Sequence, residues 1–172
     1  MKRFLTLVAA LSLSNLALAG NCKAPGATSI KDIAAGNPDF STLVAAAVKT
    51  GLVDFLDGNR NLTVFAPNNA AFDATAKIVL EDDEADGIDL VNALPEDALA
   101  DVLKYHIAAG ERDAEDVLGS SRVRMLNRDF TFPSLDGSTP FINDSEILWP
   151  DVFACNGVVH VIGDAVLLPP ES

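Results

Sequence analysis

The chain has 172 residues, 25 of them acidic against 12 basic, a formal net charge of −13 and 49% hydrophobic residues. So acidic a surface argues against nucleic-acid phosphates and anionic lipid faces as partners. The apolar fraction and length suit one globular domain with a real core.

Residues 1–19 read as a signal peptide. Lys2 and Arg3 form a basic start, Phe4 to Leu13 an apolar run too short to span a bilayer, and Ala17-Leu18-Ala19 a small-x-small cleavage site. Asn21 separates Gly20 from Cys22, which departs from the pattern of a lipoprotein anchor. Cleavage removes two basic residues and no acidic one, so 10 basic against 25 acidic residues leave a net charge of −15. The expectation is an exported protein, secreted or periplasmic, with no stable membrane anchor and a monomer as the default.

Residues 20–27 form an N-terminal arm, and the domain runs over 28–170. From Ile30 to Leu56, apolar residues recur at three- and four-residue steps, interrupted at Pro38 and Gly51; this predicts two or three short helices. Leu62-Thr63-Val64-Phe65-Ala66 reads as a buried strand stopped by Pro67, after which Asn68 caps a short helix through Phe72. Glu81 to Asp89 reads as an acidic loop. Pro95, Glu96 and Asp97 open a further helix whose buried stripe is Leu99, Val102 and Leu103. Beyond Ser121 short apolar runs alternate with Asp-Gly, Asn-Asp and Pro signals, so strands are expected. In Asn156-Gly157-Val158-Val159-His160-Val161-Ile162 a tight turn feeds a β-branched strand, and Ala165 to Leu168 reads as a second short strand stopped by Pro169. Helices first and a compact sheet after define an α+β domain.

Cys22 and Cys155 are the only cysteines. In an oxidising compartment an intramolecular bridge between the arm and the turn before Val158 is the favoured reading; two buried thiols or an intermolecular bond are the alternatives.

Three segments resemble the fasciclin domain family at family spacing. Phe40 to Val44, Gly51-Leu52-Val53 and Leu62 to Phe72 resemble the first signature segment. Leu103-Lys104-Tyr105-His106-Ile107 resembles the central Tyr-His motif, and Asn156 to Pro169 the second signature. The resemblance implies a fasciclin-like fold, with a helix cluster packed on a β-wedge of short strands. It also implies a non-catalytic module that mediates adhesion or extracellular protein–protein interaction, with a protein or a cell-surface or matrix partner. Two reported contact segments have counterparts in Tyr105-His106 and in Pro150-Asp151-Val152, the latter with Trp149 where the family carries an acidic residue. On that reading, replacing Asp151 and His106 weakens attachment and leaves the fold intact. Burial of Tyr105 and His106 in the core is the competing reading, as is a plain turn at Pro150-Asp151. His160, inside a β-branched strand, reads as a structural histidine. The chain contains no Arg-Gly-Asp.

Some secreted fasciclin-like proteins resemble pigment carriers, which implies an alternative: an elongated apolar ligand such as a carotenoid, lodged among Phe130, Phe132, Phe141, Trp149 and Phe153. The same aromatics would equally serve as a β-core. No catalytic constellation or cofactor site emerges. Cys155 and His160 are five residues apart on an extended strand and point to opposite faces. Asp82, Glu84, Asp86 and Gly87 follow the start of a calcium loop, but Ala93 occupies the place of the bidentate Glu, so no metal site is expected. Arg112, Arg122, Arg124 and Arg128 are expected to pair with carboxylates such as Asp113, Glu115 and Asp116, with a small acidic-ligand site as the lesser alternative. Asn61-Leu62-Thr63 and Asn143-Asp144-Ser145 are formal glycosylation sequons.

Overall fold

The computed structural model describes Cys22, Ala24 and residues 26–170; the expected signal peptide, residues 1–19, lies outside the described residues. Helix α1 (Ile30–Gly36) starts from a capping box in which the Ser29 hydroxyl and the Asp32 carboxylate each accept the other's backbone N–H. A 3-10 turn at Pro38–Phe40 leads into α2 (Ser41–Lys49) and α3 (Val53–Leu56). The breaks fall at Pro38 and at Gly51, whose φ is +67°. The predicted strand is β1 (Leu62–Pro67).

Asn68 caps α4 (Asn69–Val79), accepting from Ala71 N. This helix outruns the predicted stop at Phe72 because Thr75 and Ala76 continue its buried face. The acidic loop is shorter than predicted: Asp86 caps α5 (Gly87–Ala93), which buries Leu90 and Val91. The Lys49 ammonium donates to the Val91 and Leu94 carbonyls at 2.6 and 2.9 Å, closing the C-terminal end of α5. Then come α6 (Glu96–Tyr105), β2 (Ile107–Ala109) and α7 (Ala114–Leu118).

Strands β3 (Val123–Arg124) and β4 (Phe130–Thr131) form a small ribbon. Strands β5 (Pro133–Asp136), β6 (Thr139–Ile142), β7 (Ser145–Ala154) and β8 (Gly157–Ile162) join β1 and β2 in one sheet of order β2-β1-β8-β7-β6-β5. The α+β class stands, but the division into helices first and sheet after is corrected. Strand β1, from the helical half, lies parallel to β8 in the middle of the sheet, from Leu62 beside Gly157 to Pro67 beside Ile162. Every residue of both strands is buried, which is why β1 reads as a continuous rather than an alternating apolar run.

Val64, Ala66, Val159 and Val161 face a core shared with the helices. Phe65 and Ile162 belong to a second core with Val117, Val123, Met125 and Ile142. The predicted strand over 165–168 does not form. Val166 N donates to Thr75 Oγ1 and Leu167 N to His106 Nε2, both at 2.9 Å, so side chains of α4 and of the residue ending α6 take the place of a ladder.

Cys22 and Cys155 are bonded, with Cα atoms 5.1 Å apart, and the bridge fastens the arm to the β7–β8 turn. Cys155 N also donates to Thr28 O.

Candidate interaction site

The Pro150-Asp151-Val152 segment lies where β7 falls out of step with β8. Trp149 pairs with Val161 and Val152 with Val159, which leaves one extra residue on β7. Asp151 takes it up with φ +60°, a left-handed conformation that Asp tolerates better than most residues. Two hydrogen bonds hold it there. Its Oδ1 accepts from Ala114 N, the first residue of α7, at 2.8 Å. Its own N–H donates to His160 Nδ1 at 3.2 Å.

His160 is fully buried, and its ring stacks on Phe65 with centroids 5.4 Å apart. Its Nε2 bonds Arg112 O at 3.0 Å, so the ring is assigned as neutral with the proton on Nε2. Burial pushes its pKa below the ordinary histidine range, against the opposing pull of the Arg112 carbonyl. Arg112 N in turn donates to Thr63 Oγ1, whose hydroxyl bonds Gly110 O. The chain of bonds from Thr63 to Asp151 makes the outer segment of β7 rigid.

This rigid segment presents apolar surface. Trp149 is 55% and Phe153 60% exposed, flanking Asp151 on either side, and Leu148 and Pro150 are exposed next to them. Strand β6 reaches only Ser145 and Glu146 of β7, so beyond them the outer side of β7 has no strand partner among the described residues. Pro150, which lacks an N–H, and the bulge at Asp151 blunt that edge against unspecific pairing. Val152 turns inward and packs against the helical core.

The other predicted contact pair is corrected. Tyr105 and His106 are 3% and 1% exposed, so neither can reach a partner's surface. Tyr105 Oη donates to Phe130 O at 2.9 Å and accepts from Asn143 Nδ2. His106 Nδ1 donates to Val102 O at 2.8 Å while Nε2 accepts from Leu167 N. Burial lowers the pKa of His106 to about 4, although the Val102 carbonyl pulls the other way. The unfolded chain therefore takes up this proton first, near the ordinary histidine value of about 6.5. Stability from His106 is complete above that pH and falls as the pH drops toward 4, by about 3 kcal/mol. Urea titrations at pH 7 and pH 4 should show wild type losing that much more than His106→Gln. Equal losses in the two proteins would contradict the buried neutral ring.

The five aromatics of the expected ligand groove do not converge. Phe130 and Phe132 border a shallow depression with Tyr105, Asn143 and Leu168, whereas Phe141, Trp149 and Phe153 lie outside it. The arginine expectation is corrected too. Arg122 stacks over the Phe130 ring at 4.2 Å, and among the described residues no arginine lies within ion-pair distance of a carboxylate. Asn143 is a structural residue, with Oδ1 accepting Phe132 N and Nδ2 donating to Tyr105 Oη, so both ends of its amide are engaged within the fold. Asn61 is exposed, but its sequon's Thr63 is buried in β1. Three carboxylates of the acidic loop bind backbone: Asp82 accepts from Glu84 N, Asp86 from Ile88 N and Asp89 N, and Asp89 from Asp86 N, while Asp73 of α4 accepts from Gly87 N.

Asn156 is the residue that sequence reasoning underrated. Fully buried, it accepts Ile30 N on Oδ1 and donates through Nδ2 to Leu56 O and Gly58 O, so the turn before β8 is tied to α1 and to the end of α3. An Asn directly before Gly signals only a local turn; nothing in the sequence announces its distant partners.

A mixed sheet, a helical layer packed on one face and a bulged strand β7 define an α+β domain. The sequence profile of the Fasciclin domain matches residues 38–169. The chain is 38% identical over 146 residues to Protein sll1483 of Synechocystis sp., covering 84% of this chain and 75% of that protein. It is 29% identical to periostin of Homo sapiens over 84% of this chain, which amounts to 16% of periostin's length. In fold it is similar to a FAS1 domain pair from the insect cell adhesion molecule Fasciclin I, with a TM-score of 0.64 and 22% identity, covering 83% of this chain and 51% of that one. This chain belongs to the fasciclin domain family.

Proposed function

We propose that this protein is an exported interaction module that binds a protein or matrix surface, without turnover, through the outer segment of β7. The observation that carries this reading is the exposure of Trp149 and Phe153 on a segment whose backbone is fixed by Asp151 and His160. Large aromatics on a preorganised backbone bind at low entropic cost. Family membership supports an adhesive role, and the Cys22–Cys155 bond supports a secreted or periplasmic location. Asp151 and His106 are poor positions for testing attachment, because both hold the fold together. Trp149→Ala with Phe153→Ala is the informative pair, since both side chains are largely in solvent. Beads carrying the double variant should adhere to cell or matrix surfaces at least about tenfold more weakly than wild type, with unchanged thermal unfolding. Undiminished adhesion would remove this surface from consideration.

A further inference from the structure

A cavity of about 170 Å³ lies between α1, α2 and α3 and the inner face of β1 and β8. Leu43, Val44, Ala47, Leu56, Val64 and Leu103 contribute walls, and Val48, itself exposed, stands at the entrance. Its two polar lining side chains make no demand on a ligand. The Lys31 ammonium is taken by Asp57, and both ring nitrogens of His106 are already bonded. A well-packed core closes such space, and a dry, carbon-lined void of about 150 Å³ is large enough to take up benzene. We infer that this cavity is a binding site for a small neutral hydrocarbon group, a single ring or a short alkyl end. A carboxylate would find no free cation at these walls, and a hydroxyl no free acceptor. The site is separate from the β7 surface, so the two stand or fall independently.

Benzene is the probe. Thermal unfolding of the full chain at ten times the benzene dissociation constant should move Tm up by roughly 4 °C. Amide and methyl resonances of Val44, Ala47 and Leu103 should shift in the same titration. Ala47→Phe, which fills the cavity, should abolish both effects. Val48→Trp, a change at an exposed position that narrows the entrance, should weaken binding at least fivefold and serves as the decisive variant if Ala47→Phe does not fold. Absence of any Tm or resonance change in wild type would overturn the inference, as would benzene binding that survives in every folded variant.

Discussion

Gly157→Ala should leave the protein unable to fold, at a cost of at least about 4 kcal/mol. Gly157 has φ +142°, a conformation that side-chain-bearing residues rarely adopt. It is also the first residue of β8 and lies directly beside Leu62. A methyl group there would overlap the Leu62 carbonyl oxygen and approach Leu62 N and C at 2.7 and 2.8 Å. Backbone on both sides leaves no flexible group to give way, and Leu62 N is fixed by its bond to Asn156 O. Relief therefore requires β1 and β8 to separate, which breaks the pairing at the middle of the sheet. The far-ultraviolet spectrum and solubility of the variant are the readout. A variant with native Tm would mean that β1 and β8 do not meet as described.

Loss of the Cys22–Cys155 bond should cost about 5 kcal/mol, the loop-closure entropy for two residues 133 positions apart. The bridge stabilises chiefly by limiting the unfolded chain. Urea unfolding of a Cys22→Ser/Cys155→Ser variant should show a lower midpoint together with a steeper slope, because the unlinked unfolded chain exposes more surface. A shift below about 1 kcal/mol would refute the entropic account.

Local signals in the sequence proved reliable where one residue decides the backbone. Pro38 and Gly51 mark the helix breaks, Asn68 the start of α4, and Pro95 the start of α6. Short elements escaped notice: α7 has five residues, and its Glu115 and Asp116 make the stretch read as solvent-facing. Non-local pairing was invisible as well. Nothing in Leu62–Pro67 or Gly157–Ile162 names the other as its neighbour, and the apolar content of each strand states only that both faces will be covered. The interaction site was half legible. Pro150 and Asp151 signal a turn by composition, but the left-handed backbone at Asp151 and its bonds to Ala114 and His160 arise only from the packed fold. Tyr105 and His106 show the converse: polar residues closing an amphipathic helix fit surface and core equally, and the acceptor needed by Leu167 N decides for the core.

The parallel pairing of β1 with β8 also sets an order of events in biosynthesis. One flank of β1 waits for a strand encoded almost a hundred positions later. A nascent chain that has not yet passed Ile162 thus has no means of completing its sheet, and its early helices rest on an unfinished wall. Such a polypeptide cannot close its core around β1 before the last strand is available. Delayed closure sets the Cys22–Cys155 bond at the same late point, since Cys155 lies in the turn that leads into β8.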